Sequence, residues 1–332
     1  MPEDRAPARG LAKRLTANIP GAVYGVVVLL IFFSLVRPRF MSIYNIQLIA
    51  RHSSVLLVAS IGMTMAILVS QIDLSVGSVM SLAGVVAAHA MREGAGIPLA
   101  MLLGLLCGVL MGVLNGLMVA VFKFDFWIAT FGTMGIGAGL ALVAANGQTL
   151  VVGVKGFAWM GNGKLAGIYI LIYMAAALLG LMWLVLNKTK FGYNIYSIGG
   201  SEQAARLSGV AVVKNRFYVY VASGFFAAVA GLMLASMGNS ASPIAGAEYS
   251  FDVIAAVIIG GASFDGGRGG LVGTVMGTLL VRILASGLNL MGIPSTWQKA
   301  IIGFAIVAIL VADVLCDNRK RRLDLMRRYR DA

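Results

Sequence analysis

Phe251–Ser263 reads FDVIAAVIIGGAS, and whether it crosses a membrane decides the fold. Its thirteen residues rise about 20 Å as a helix, short of a hydrocarbon core of about 30 Å. Charge argues for the crossing, because cations gather on the cytoplasmic side. With Arg5, Arg9, Lys13 and Arg14 inside, about ten crossings bring Arg319, Lys320, Arg321, Arg322, Arg327, Arg328 and Arg330 back inside. Without this crossing that whole tail ends outside. The stretch is therefore expected to cross as a short or broken helix, entering near Ser250–Asp252 and fraying at Gly260-Gly261. Bare backbone at membrane depth is tolerated only in protein or beside a watery cavity, and broken helices often mark a substrate path. The alternative is a helix that begins near Ala247 and spans normally.

Around this stretch the chain has 332 residues, 59% of them hydrophobic and 12% charged, with a mean hydropathy of +0.90. Soluble domains are about 45–50% apolar and about 25% charged. The fold class is thus an all-α integral membrane protein, since the apolar runs have helical length and not the ten-residue alternation of a barrel. Spans are expected at about 20–36, 53–70, 75–91, 97–122, 127–145, 166–187, 217–237, 251–263, 270–289 and 297–313. This divides the chain into a cytoplasmic tail at 1–19, a membrane domain at 20–313 and a basic cytoplasmic tail at 314–332. The first span lacks a small-residue cleavage pattern and reads as retained. The net charge of +13 sits in tails and loops, where it sets orientation and meets lipid, and does not imply nucleic acid. Arg37, Arg39 and Arg51 fall on the outer side, against the trend.

Glycines recur at Gly104, Gly108, Gly112 and Gly116, and again at Gly269, Gly273 and Gly277. Small residues at every fourth position let helix backbones approach closely, against this chain or a second one.

Signals for an enzyme fail. GNGKL at 161–165 lacks the first Gly and the Ser/Thr of a phosphate loop. His52 and His89 are isolated, and Cys107 and Cys316 are two residues set far apart, so no metal set is expected. Asp73, Asp125, Asp252, Asp265 and Asp313 fall at segment ends, Asp73 as a cap of the third span or a shaper of the path, and Asp265 and Arg268 as a pair across an inner turn. Arg282 is the one cation expected to be buried in a span, paired with a carbonyl or lining a cavity. Asp73 and the uncharged Asn115, Thr130, Thr133, Thr274 and Thr278 are candidates for a translocation path or gate, with ordinary interhelical bonding as the bland reading.

The longest polar interruption between two apolar runs is Phe191–Phe217. Gly199-Gly200 allow a turn, Ser201 can cap a helix, Glu202 suits its positive end, and Gln203, Ala204, Ala205, Arg206 and Leu207 favour helix up to Ser208 and a stop at Gly209. Lys188, Lys190, Lys214 and Arg216 place it on the cytoplasmic side. It reads either as a loop helix resting on its own protein or as a docking element for a cytoplasmic partner.

Three blocks resemble the permease subunits of sugar-type bacterial ABC importers, the ribose/xylose/galactose group. The first is Gly62-Met63-Thr64 with Ser70-Gln71-Ile72-Asp73-Leu74-Ser75-Val76-Gly77-Ser78, where the family shows Gly-Gly in place of Ser70-Gln71. The second runs from Gly192-Tyr193-Asn194 through Ile198-Gly199-Gly200 to Ala204-Ala205-Arg206-Leu207-Ser208-Gly209-Val210. The third is Ile258-Ile259-Gly260-Gly261-Ala262-Ser263 with Gly267-Arg268-Gly269 and Gly273-Thr274. The resemblance implies a bacterial inner-membrane subunit of about ten spans that imports a monosaccharide or polyol. It implies a second permease, two cytoplasmic ATPase subunits that hold the ATP and Mg, and an extracytoplasmic solute-binding protein, with no cofactor on this chain. Ser201–Gly209 would then be the coupling helix that docks on the ATPase. The competing reading is a self-sufficient secondary carrier or channel for a small neutral solute.

Overall fold

The computed structural model describes residues 21–294, 296–304, 307–308 and 311. The tails at 1–19 and 314–332, with Asp313 and Cys316, lie outside the described residues.

The helices in chain order are α1 (Gly21–Val36), α2 (Ile43–Leu68), α3 (Val76–Arg92), α4 (Ile97–Gly116), α5 (Phe126–Ala144), α6 (Lys155–Asn162), α7 (Ile170–Lys188), α8 (Lys190–Gly200), α9 (Glu202–Leu207), α10 (Val212–Gly238), α11 (Ala247–Ile259) and α12 (Leu271–Leu290). Local chemistry sets several starts. Ser42 Oγ accepts from Asn45 N at 3.3 Å to open α2. Pro98 stands in the first turn of α4, where its missing N–H is harmless. Asp125 accepts from Trp127 N at 2.9 Å to open α5. α4 continues through a wider turn at Leu117–Val121, where Phe122 N bonds Leu117 O at 2.9 Å.

Among the described residues, six helical stretches are long and apolar enough to cross a membrane: Ile43–Leu68, Ile97–Val121, Phe126–Ala144, Ile170–Lys188, Val212–Gly238 and Leu271–Leu290. Ala22–Val36 and Val76–Arg92 are shorter apolar helices. Leu102, Leu106 and Leu110 on α4, Phe131 and Val143 on α5, and Leu181 and Leu184 on α7 are exposed. A wall this apolar suits lipid, not water. The protein is an all-α integral membrane protein.

α2 and α10 form the centre, with 72% and 61% of their apolar windows buried against 22% for α7. Glycine permits this. A Cβ added at Gly104 would sit 2.7 Å from Ala83 O on α3, and at Gly108 2.7 Å from Gly224 O on α10. At Gly112 it would sit 2.5 Å from Tyr220 O, and at Gly116 3.0 Å from Phe217 O. All four glycines thus face helices of the same chain. Gly224 and Gly231 answer them from α10, the first against Gly108 O and the second against Met80 O. Gly273 and Gly277 of α12 meet the backbone of Gly260 and Ala256. Gly269 differs, because it precedes α12 and has φ +118°, so it serves the turn and not the helix face.

α11 corrects two expectations about the deciding stretch. It starts at Ala247, four residues earlier than its apolar run, yet still has only 13 residues because it stops at Ile259. Gly261 then turns with φ +90°. Its start is enclosed by protein, since Gly246 N donates to Ser81 Oγ of α3 at 2.8 Å and Gly246 packs against Gly77. A second correction concerns charge. Asp252 lies within α11, not at a segment end, and Arg282 is not alone, since the two pair at 3.4 Å. Asp265 and Arg268 do not pair. The turn is instead closed by Ser263 N to Arg268 O at 3.1 Å and Gly267 N to Leu68 O at 3.0 Å.

At the end opposite α9, β1 (Leu150–Val151) pairs with β4 (Ser240–Ala241), and β2 (Lys164–Leu165) with β3 (Ile168–Tyr169). Arg51 staples this cap. Its Nε donates to Gly161 O at 3.0 Å and its guanidinium lies 4.9 Å from the Tyr169 ring centre. That accounts for one of the three cations that ran against the charge trend.

Candidate functional site

Two linked regions stand out, the α8–α9 pair and the break between α2 and α3. Thr189 accepts from Gly192 N to open α8. Gly199 and Gly200 close α8 and neither has a positive φ, so they do not make the turn foreseen for them. Gly199 is needed for contact, because a Cβ there would overlap Leu68 O and Gly267 N. Ser201 makes the turn with extended backbone, φ −164°. Its Oγ accepts from Ala204 N at 3.2 Å and opens α9. Gly209 closes α9 with φ +82°. Gly209 N bonds Arg206 O at 3.1 Å and Val210 N bonds Ala205 O at 3.0 Å, the paired bonds of a Schellman stop.

α9 is otherwise bare. Ala205 is buried, Gln203, Ala204 and Ser208 are exposed, and Leu207 is 83% exposed. Charge braces it. Glu202 accepts from Arg206 at 2.8 Å and from Arg216 of α10 at 2.7 Å. The Arg216 hydrogen bond, and then that of Arg206, holds the Glu202 carboxyl below its ordinary value of 4.5 against the pull of burial.

The break at 69–75 is knitted to three helices. Asp73 is 1% exposed. Its Oδ1 accepts from Ser75 N at 3.0 Å and Ser75 Oγ at 2.6 Å, with Asn115 Nδ2 at 3.3 Å. Its Oδ2 accepts from Ser223 Oγ of α10 at 2.7 Å. Asn115 Oδ1 in turn accepts from Thr133 Oγ1 of α5 at 2.6 Å. Thr130, also on α5, bonds Phe126 O at 2.7 Å. Asp73 therefore does not cap α3, whose first turn has Ser75 at its cap position and no side-chain cap bond. It is a tie between helices, and a buried carboxylate needs such a set of donors.

Thr274 lies elsewhere, 2.7 Å from Thr64 across the α2–α12 contact, and Thr278 is buried near it. The structure thus brings Asp73, Asn115, Thr130 and Thr133 together and sets Thr274 and Thr278 apart from them. Each of the six is at most 1% exposed. Tyr220 and Ser223 were missed in the sequence, and Gln71, Ser75 and Arg216 were noted there without these bonds. The partners of Tyr220 and Ser223 lie about 150 positions away, and a lone Ser or Tyr in an apolar run carries no local signal.

The two regions join along α10. Arg216, Tyr220 and Ser223 fall at i, i+4 and i+7, one helix face. Arg216 holds Glu202, Tyr220 donates to Gln71 at 3.2 Å, and Ser223 holds Asp73. One face of α10 thus connects α9 to the break over about two turns, roughly 10 Å.

Known proteins are similar to this sequence. The ribose import permease protein of Haemophilus influenzae is 40% identical over 89% of this chain and 92% of its own. That of Bacillus subtilis is 39% identical over 90% and 92%. The galactose/methyl galactoside import permease protein of Haemophilus influenzae is 32% identical over 90% and 95%. No solved structure matches. Residues 45–310 match the family described as branched-chain amino acid transport system / permease component, and the chain belongs to it.

Proposed function

We infer that this chain is the membrane-spanning subunit of an ATP-driven importer that carries a monosaccharide into a bacterial cell. The ribose and galactose named for its relatives support a neutral sugar. The single observation that carries the reading is α9, a capped and charge-braced helix whose Leu207 is 83% exposed. A helix this short is marginal alone, and its outward face fits a groove on a cytoplasmic ATPase that supplies the ATP and Mg.

In this reading the membrane domain spans residues 20–313 with ten crossings, α11 being the short one, and sits in the cytoplasmic membrane. Both tails, 1–19 and 314–332, are cytoplasmic, and a second permease and an outer binding protein complete the assembly. Closure of the ATPase pair pushes α9. Arg216 passes the push to α10, which shifts Tyr220 and Ser223 against Gln71 and Asp73. The threonines and Asn115 around that break then part to open the route.

The test is the assembled importer in vesicles. Leu207→Asp is expected to weaken ATPase binding at least about tenfold, as loss of a central apolar anchor does. Intact assembly and uptake in that variant would refute the docking role. Uptake by the chain alone on a proton or sodium gradient would favour a self-sufficient carrier.

A further inference from the structure

We propose that the turn Ser263–Gly270, between α11 and α12, is a second contact surface for the cytoplasmic ATPase that receives α9, with Phe264, Asp265 and Arg268 as its contacting side chains. The partner rests on the reading above. The surface is new, since it lies outside α9 and outside the brace on Glu202.

Size is the first reason. α9 has six residues, whereas a stable interface uses about 20–30 residues a side. A dock on α9 alone is too small, so the contact must extend to what lies beside it. The turn lies there. A Cβ at Gly199 would overlap Gly267 N, and a Cβ at Gly267 would sit 2.7 Å from Gly200 N, the residue before the Ser201 cap. Tyr196 Oη of α8 donates to Gly269 O at 3.1 Å. From the break after α2, Ser70 Oγ donates to Asp265 O at 2.6 Å, and Leu68 O accepts from Gly267 N at 3.0 Å. The turn is thus pressed on the last turn of α8 and stands at the same end of the molecule as α9.

Its backbone is engaged and its outer side chains are not. Ser263 N donates to Arg268 O at 3.1 Å and Gly266 N to Ser263 O at 3.0 Å. Gly266 and Gly267 take φ +83° and +67°, which glycine adopts without strain. The turn is therefore fixed before a partner arrives, and little ordering cost falls on binding. On this frame Phe264 is 46% exposed. Asp265 and Arg268 are exposed too, and neither has an ion pair among the described residues. Aromatic residues and arginine are the types enriched where proteins meet. A lipid headgroup suits the turn less well, because an anion drawn to Arg268 is repelled by Asp265, whereas a protein surface can offer one charge to each.

The two contacts lead to different helices. α9 is tied to α10 through Glu202 and Arg216, while the turn runs directly into α11 and α12. One partner seated on both holds α10 and the α11–α12 pair together.

The experiment compares this chain in vesicles with and without the ATPase subunits of the assembled importer. A Cys107→Ala, Cys316→Ser background carries one reporter, Phe264→Cys or Asp265→Cys on the turn, or Ser208→Cys beside α9, and the rate of maleimide labelling is read. The ATPase is expected to slow labelling about tenfold at all three positions, because an interface excludes water. Protection at Ser208→Cys with none at either turn position overturns the second surface and leaves the docking of α9 standing. Protection at none of the three overturns both. Slowing at the turn by anionic phospholipid vesicles without the ATPase makes it a lipid contact and also overturns the proposal. Arg268→Glu, which reverses an exposed charge, is expected to weaken association of the ATPase about tenfold with thermal unfolding unchanged, and undiminished association would count against the surface.

Discussion

α9 and α11 are both short of the length at which a helix holds together in water, and the protein secures them by different means. α9 has six residues, held by a serine cap, a glycine stop and the two arginines on Glu202. α11 has thirteen, held by backbone contact with glycines of α12 and α3. The first kind of hold is polar and near water. The second is steric, backbone against glycine. The same shortage of length is thus met once by polar bonds and once by steric contact.

The strongest way to break that contrast is to fill the seat of α11. A Cβ at Gly277 would overlap Ala256 O, so Gly277→Leu is expected to force α11 and α12 apart and destabilise the fold by roughly 1–3 kcal/mol or more. Gly135→Leu, on α5 with nothing within 4 Å of its added carbon, is the matched control and should leave stability unchanged. Thermal unfolding of the solubilised protein measures both. Equal unfolding temperatures would mean that α11 is not seated by backbone contact.

A smaller effect tests the brace of α9. Arg216 is 17% exposed and Arg206 58%, so the two bonds to Glu202 are not equivalent. The exposed pair is worth about 0–1 kcal/mol. Arg216→Ala is expected to lower ATP-driven uptake by roughly tenfold, equivalent to about 1.4 kcal/mol, with unfolding little changed, whereas Arg206→Ala should lower it far less. The reverse order would remove α10 as the route from α9 to Asp73.

The same contrast explains what could be read from residues alone. The ends of α9 are local chemistry, so Ser201, Glu202 and Gly209 were legible within nine residues of one another. The shortness of α11 was legible from Gly260-Gly261, and its start near Ala247 stood as the alternative reading; what was hidden is that Glu248 in that first turn is satisfied by Lys299 at 2.8 Å, a partner 51 positions away. α8 was hidden by its three glycines, which lower helix propensity; Gly192 and Gly199 are required by close contacts with Leu186 and Leu68, while Gly200 has open space around it. The role of Asp73 depends on Ser223, 150 positions along the chain. Ser70 shows a further limit. It takes a left-handed conformation, φ +59°, where the resembling family has glycine, and its hydroxyl donates to Asp265 O at 2.6 Å. That bond offsets a backbone cost that no propensity scale would have accepted there.

The mildest test reads Glu202 itself. Its folded carboxyl is held below its ordinary 4.5, first by Arg216 and then by Arg206. A depressed acid contributes stability that is fully present above its unfolded value and is lost as pH falls through its folded value. The brace is therefore expected to be unchanged from pH 8 down to about 5, and to fail only in acid below the ordinary glutamate range. The carboxylate carbon resonance of labelled Glu202 follows this directly. Arg216→Ala should move its titration up toward 4.5 by more than Arg206→Ala does, because the larger cause is removed. If Arg206→Ala moves it more, the exposed pair is the principal hold, α9 is braced only on itself, and the distinction between a helix tied to α10 and one merely resting beside it disappears.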